Sequence, residues 1–446
     1  MSSHPFGFGR ATPDRPVVVI GAGIAGLVAA TRLKAAGVPV VVLERSDHRG
    51  GRMQTSRPEA GHRFETGQQF YYGAYRRTRA LLKAHNLLGQ LRPAPVRGLM
   101  TYGGDIAPFD KKRPWLGLLS TRENLRLWMA LGRLSHRMLF TSPFGHKATD
   151  SLDSVSVDGH FLPRIGERAF ELAIRPMVTS YSFAEPEGHS LSMLLKIARL
   201  GASSGTLALI PGNDSLPMAL ARGLDVRTLT ATGIERGPDG WVVAVHATSP
   251  DGAAHSIETG HVVCAAPPPQ AAPLFGAFPA VATALHAIPF TATIMVNFHL
   301  DRPLADKPWV YILSRRDGHR AAFAIDCARR CPEAFPLGDS VLQVSFVAPI
   351  ARELLASDDS ELAAIAAHDM RTFIPDLDQR VSDVSIFKRS LAVASWQTGS
   401  FARVAAVRDA ATSIPGLRFV GDWLRSPLVE SAIASTDALF EPPRAQ

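Results

Sequence analysis

Gly21, Gly23 and Gly26 form a GxGxxG run between an apolar stretch, PVVVI, and a helical pattern, LVAATRLKAAG. At that spacing the glycines suit phosphate binding. Gly21 permits a tight turn, Gly23 lets the backbone approach a pyrophosphate, and Gly26 lets helix and strand pack closely. The helix start at Ile24 and Ala25 offers free N–H groups and the positive end of a dipole. Glu44 closes the next apolar run, 18 residues after Gly26. A carboxylate there accepts ribose hydroxyls and repels a 2′-phosphate. Arg45 follows, then Gly50, Gly51 and Arg52, whose guanidiniums suit bidentate binding of a diphosphate. Together these residues have the chemistry needed to hold an extended dinucleotide.

Positioning them takes a strand, a glycine turn, a helix and a second strand. Leu27, Ala30 and Leu33 stand at helical spacing and Gly37 is a stop signal. The two β-branched runs suit parallel strands buried on both faces. Residues 76–200 read as mainly helical. Residues 205–265 return to strands, with a hairpin around Pro238-Asp239-Gly240. Strand-like runs fill 290–347, a helix covers 351–374, and the C-terminal stretch is again strand, turn, helix. The alternation is α/β, with the nucleotide domain assembled from separated pieces.

The run VVVIGAGIAGLVAATRLKAAGVPVVVLERSDHRGGRMQT resembles the N-terminal signature of the flavin amine oxidase superfamily. That group includes amine oxidases, protoporphyrinogen oxidases and phytoene-type desaturases, all using FAD. FETGQQF is similar to the family's turn beside the flavin, which implies Thr66, Gly67, Gln68 and Gln69 near the isoalloxazine or ribityl chain. The resemblance places Val226 where relatives contact the adenine through backbone groups. GLRFVGDWLRSPLVESAIAS resembles the closing motif. There Gly421 and Asp422 would meet the ribityl or phosphate groups. The helix beginning at Val429, Glu430, Ser431 and Ala432 would direct N–H groups at the flavin N1/O2 edge, where reduced flavin carries negative charge.

The architecture implied is a Rossmann-like FAD-binding domain built from 16–75, 205–270 and 395–446. An α+β substrate-binding domain, a mixed sheet plus helices, comes from 76–204 and 271–394, after a flexible lead of 1–15. No cysteine falls where some amine oxidases attach flavin, so the FAD is expected to be noncovalent. No second GxGxxG follows a strand, so reducing equivalents should come from the substrate.

The reaction implied is hydride abstraction from a C–H bond held over the flavin. Many amine oxidases place a Lys below flavin N5. Aligning IPFTATIMVNF puts Met295 there, and no Lys occurs between Lys196 and Lys307. Trp396 matches one wall of the aromatic pair that frames an amine, but Leu428 and Val429 stand at the other. Ser435-Thr436 replaces the family's usual Ser-Gly. These departures favour a dehydrogenase or desaturase acting on an apolar or amphipathic small molecule, reoxidised by oxygen or a quinone. The rivals are an amine or amino-acid oxidase releasing hydrogen peroxide, a non-redox flavoprotein (isomerase or binding protein), and an NAD-dependent enzyme. Pocket candidates are Tyr72, Tyr181, Met295 and Trp396, with Tyr71, Tyr75, His189, Lys388, Arg389 and Trp423 behind them. No general base stands out.

The 446 residues are 46% hydrophobic and 20% charged, which excludes disorder and leaves room for two or three domains. A net charge of +8 over that length is too dilute to imply nucleic acid. Cys264, Cys327 and Cys331 form neither a disulfide framework nor a metal-ligand set, which suggests a reducing, cytoplasmic setting. The N-terminus lacks the apolar core of a signal peptide. Residues 262–300 contain no Asp, Glu, Lys or Arg, but six prolines interrupt them, which argues against a membrane span.

Residues 109–147 hold eight basic residues (Lys111, Lys112, Arg113, Arg122, Arg126, Arg133, Arg137, Lys147) and two acids. Ser120 and Glu123 make a capping box. At about 100° per residue the four helical arginines fall within about 60° of arc, and Leu127, Leu131, Leu134 and Met138 form a second stripe. Three readings follow: peripheral contact with the inner membrane surface, a surface helix with its apolar stripe in the core, or a basic face that recruits an anionic substrate or partner.

Overall fold

The computed structural model describes residues 8–440, apart from residue 60 and the segments 111–116, 146–149 and 305–307. Lys111, Lys112, Arg113 and Lys147 of the basic stretch, and residues 1–7 of the lead, lie outside the described residues.

A five-stranded parallel sheet takes its strands from five distant places. The order is Val226–Thr228, Val40–Glu44, Val17–Ile20, Val262–Cys264 and Leu417–Phe419. Val17–Ile20 is buried throughout, as its unbroken β-branched run requires. The helix Ile24–Ala35 packs beside it with Leu27, Val28, Ala30 and Leu33 buried, and Gly37 ends that turn at φ +76°.

A second, seven-stranded mixed sheet runs Val381–Arg389, Thr293–Leu300, Ser340–Val347, Phe323–Asp326, Val310–Ile312, Arg97–Tyr102 and Asp105–Asp110. Its central strands Thr293–Leu300 and Ser340–Val347 are buried at every position. One face carries its own apolar core with Leu362, Ala366 and Met370 of the helix Asp359–Met370.

Four expectations need correcting. The mainly helical stretch 76–200 contains the hairpin Arg97–Tyr102 and Asp105–Asp110, turned by Gly103 and Gly104 at φ +63° and +84°. The hairpin near 226–245 starts later than read. Val226–Thr228 joins the parallel sheet, and only Thr230–Arg236 pairs with Val242–Thr248. The helix of 351–374 is split, because Asp358 caps a fresh start by accepting the Glu361 N–H. The lead is anchored at 8–11: Phe8 and Ala11 are buried, Phe8 against His261, and Arg10 lies over the Trp241 ring.

The capping box of Ser120 and Glu123 forms as read and starts the helix Thr121–Phe140. Among the described residues, no helix is long and apolar enough to cross a membrane.

Candidate functional site

One cavity of about 1230 Å³ joins the two sheets. It opens along the C-terminal ends of Val17–Ile20 and Val40–Glu44, where ligands settle on parallel sheets. At this end Gly21, Gly23, Ile24, Ala25, Glu44, Arg45, Gly50, Gly51 and Arg52 line it. Gly21 turns at φ +103°. A Cβ on Gly26 would sit 2.0 Å from the Gly21 carbonyl oxygen, so Gly26 works through packing and does not line the cavity. Gly23, by contrast, has open space where a Cβ would stand. Glu44 is held by the N–H of Ala22 (2.8 Å) and that of Ser46 (3.2 Å), which fixes its carboxylate at the strand end.

Arg52 departs from its expected role. It grips Asp422 through two bonds of 2.9 and 2.6 Å and donates to the Ala392 carbonyl at 3.1 Å. The guanidinium read as a diphosphate ligand therefore clasps the amino-terminal turn to the carboxy-terminal one. Gly421, Asp422, Val429 and Ala432 line the cavity from that side. Glu430 and Ser431 do not: the Glu430 carboxylate accepts the N–H groups of Arg77 and Thr78 and the Thr78 hydroxyl, and the Ser431 hydroxyl pairs with Ser426. Val226 lies at the sheet edge away from the cavity, where Thr230 and Ala231 take the lining position instead.

The turn after Phe64–Glu65 presents Gly67, Gln68 and Gln69 to the cavity, with Thr66 fully buried behind them. A Cβ on Gly67 would meet the Arg52 carbonyl oxygen at 2.0 Å, so only glycine lets the two segments touch. A polar network stiffens this turn from behind. Gln69 is held by Arg330 (2.9 and 2.6 Å) and Gln343 (2.8 Å), and Gln343 also donates to the Glu65 carbonyl. The Glu65 carboxylate accepts the Asn213 N–H (3.0 Å) and the Thr55 hydroxyl (2.9 Å).

Burial pushes the Glu65 carboxyl up to about 7, although Arg330 and these two bonds pull it down. A native pKa above the unfolded value means that the folded state holds its proton more tightly. This stability is full below about pH 4.5 and drains away as pH rises through 7, by roughly 3 kcal/mol at most. Glu65→Gln should flatten that part of the profile, read by urea unfolding between about pH 5 and pH 8. An unchanged slope would show that Glu65 does not titrate there.

Beyond the turn the cavity becomes a chamber with mostly apolar walls. Thr293, Met295, Val310, Ile312, Phe323 and Ile325 line it from one face of the mixed sheet. Each pair is two residues apart, as the strand period requires. Leu127, Leu131, Leu134 and Met138 line it from the helix Thr121–Phe140, and Leu194, Ile197, Ala198 and Gly201 from the helix Leu191–Ser203. Tyr72 and Tyr181 meet hydroxyl to hydroxyl on the chamber wall, and burial raises both phenols so that they stay neutral. Phe183 lines it from a left-handed backbone, φ +48°, that a bulky residue rarely adopts.

The remaining candidates separate cleanly. Arg389 lines the cavity and donates to the Thr66 carbonyl and to Gln54, and Trp423 lines it beside Asp422. Trp396 does not line it. Its ring is buried against Phe401, so it is no wall for a substrate. His189 is buried with Ser182 and held neutral, its pKa lowered to about 4 by burial. Lys388 bonds the Ser357 carbonyl and Asp359 away from the cavity. Sequence reading missed Thr230 and Ala231, and also Gln270 and Leu274 in the proline-rich segment. Only the sheet order, which brings these segments to one end, would have revealed them.

The glycine cradle, the open space at Gly23, the fixed Glu44 and the continuous cavity suit an extended dinucleotide whose far end reaches the chamber. The family model described as flavin containing amine oxidoreductase matches residues 24–436. A carotenoid phi-ring synthase from Streptomyces griseus is 31% identical over 261 residues, 51% of this chain and 48% of that protein. A 15-cis-phytoene desaturase from Solanum lycopersicum is 25% identical over 398 residues, 82% of this chain and 66% of that protein. The chain thus spans about half the length of the first relative and just under two thirds of the second. The solved cyclohexylamine oxidase of Brevibacterium oxydans shares the fold, with a TM-score of 0.72 at 19% identity over 96% of this chain and 99% of that one. With residues 24–436 matched and the cradle, clasp and chamber in place, the chain belongs to the flavin containing amine oxidoreductase family.

Proposed function

We propose that the protein binds FAD noncovalently and dehydrogenates a largely apolar small molecule, of the isoprenoid class that its desaturase relative's name denotes. Oxygen or a quinone then removes the electrons. In this reading the parts of the chain around the parallel sheet hold the cofactor, and those around the mixed sheet hold the substrate.

The observation that carries the reading is the chamber wall. Near the flavin turn it carries the paired, neutral Tyr72 and Tyr181 with Gln68, Gln69, Thr206, Thr293 and Arg389, and beyond them it is mostly Leu, Ile, Met, Phe and Val. Such a wall excludes water and rewards apolar contact, and its carboxylate on the chamber side, Asp110, already faces Arg97 at 3.7 Å. Bound FAD supplies a two-electron acceptor. Loss of a hydride and a proton from adjacent carbons leaves a C=C bond. The chain's part is to orient the C–H bond and keep the site dry.

Anaerobic bleaching of the bound flavin by a panel of polyprenoids, tetrapyrroles and amines tests this. Polyprenoids should bleach it; bleaching by amines alone would overturn the reading. Met295→Lys is a second test, since Met295 is buried on the chamber wall. A cation beside reduced flavin should raise its potential by roughly 30 mV, measured by dye equilibration. An unmoved potential would place position 295 away from the ring.

A further inference from the structure

The helix Thr121–Phe140 has two apolar stripes, and the structure separates them. Leu127, Leu131, Leu134 and Met138, the stripe legible in the sequence, face inward and line the chamber. A second stripe faces out: Leu125 is 55% exposed, Met129 49%, Leu139 61% and Phe140 80%, while Trp128, 38% exposed, stands at its edge and also reaches the cavity. At about 100° per residue these five fall within an arc of about 120°, together with exposed His136 and Gly132. Exposed Arg122, Arg126, Arg133 and Arg137 occupy the next 60° or so, between the outer stripe and the buried face.

Long apolar side chains gathered on one solvent-facing stripe are unusual for a surface helix, where they occur singly. Guanidiniums set along one border of that stripe suit a surface that is apolar inside and anionic at its rim. We propose that this helix docks the protein on an anionic lipid bilayer. Its outer stripe sinks among the acyl chains and its arginines meet the lipid phosphates. The inner stripe of the same helix walls the chamber, so docking brings the cavity to the membrane surface. An apolar molecule can then pass between them without crossing water. That route of supply rests on the function proposed above; the docking itself does not.

Flotation of the FAD-loaded full chain with vesicles tests docking without any substrate, so its failure is distinct from failure of the proposed reaction. The vesicles are phosphatidylcholine alone or phosphatidylcholine mixed with phosphatidylglycerol. The protein should float with the anionic vesicles and be released by salt. The double substitution Leu139→Ser, Phe140→Ser should weaken partitioning by roughly tenfold or more, and Arg126→Gln with Arg133→Gln should erase the preference for anionic vesicles. Flavin absorbance and turnover of detergent-dispersed substrate should stay at wild-type levels in both. If the serine pair loses its flavin colour, Leu125→Ser with Met129→Ser decides in its place. The proposal fails if wild-type protein floats with neither vesicle, or if the serine pair floats undiminished. It also fails if the stripe instead joins two copies in a dimer that the same pair dissolves.

Discussion

Gly26→Val should yield a protein that cannot retain FAD. The new Cβ would fall 2.0 Å from the Gly21 carbonyl oxygen and 3.1 Å from the Ala265 Cβ. The first of these is backbone and cannot rotate away. The turn must open, and with it go the Ala22 N–H bond to Glu44 and the close packing of helix on strand. FAD affinity should fall by about 100-fold or more, near 2.7 kcal/mol. Visible flavin absorbance per protein and a reconstitution titration would measure it. Gly23→Ala separates ligand loss from misfolding. Its Cβ meets nothing within 4 Å and its backbone is extended at φ −69°, so the fold should survive. The methyl would instead take the space meant for the pyrophosphate. A Gly23→Ala protein that binds FAD as tightly as wild type would show that the diphosphate rests elsewhere.

These glycines were legible because everything that specifies them is local. Strand, turn and helix lie within residues 17–35, and each residue's task follows from its neighbours. The Ser120–Glu123 box was legible for the same reason, since a cap and its partner are three residues apart. What escaped was long-range. Glu430 stands in a motif that suggests a cofactor contact, yet it caps a helix more than 350 residues earlier by accepting the Thr78 N–H. Arg52 reads as a phosphate ligand until the fold delivers Asp422 to it. Val226 has the right strand but the wrong side of the cavity, because no local pattern says where the sheet's edge strand ends and the hairpin begins. The helix Thr121–Phe140 shows a different limit. One apolar stripe on it was legible in the sequence and the other was passed over, because a helical period does not say which apolar positions a neighbouring element will cover. Leu127 and Leu134 went inward because the chamber is there; Leu125 and Met129 were left outside.

Gly201→Trp should leave the flavin in place and close the chamber to long substrates. Gly201 is on the helix Leu191–Ser203, on the face that shows Leu194, Ile197 and Ala198 to the cavity. A Cβ there meets nothing within 4 Å, so the backbone tolerates the change and the indole projects into open space. The helix itself gains, since glycine is a poor helix former. Gly201 lines the cavity five residues before Thr206, whose strand pairs with Tyr72, on the chamber side rather than at the glycine cradle. Flavin absorbance and FAD affinity should therefore match wild type. Anaerobic bleaching by a long polyprenoid should slow by roughly a hundredfold, the loss expected when a reacting bond is displaced by about 1 Å. A short apolar donor should keep most of its rate, because the blockade is one of length. Equal slowing of both would mean that the indole reaches the flavin. No slowing of either would mean that the substrate lies along a different wall of the cavity.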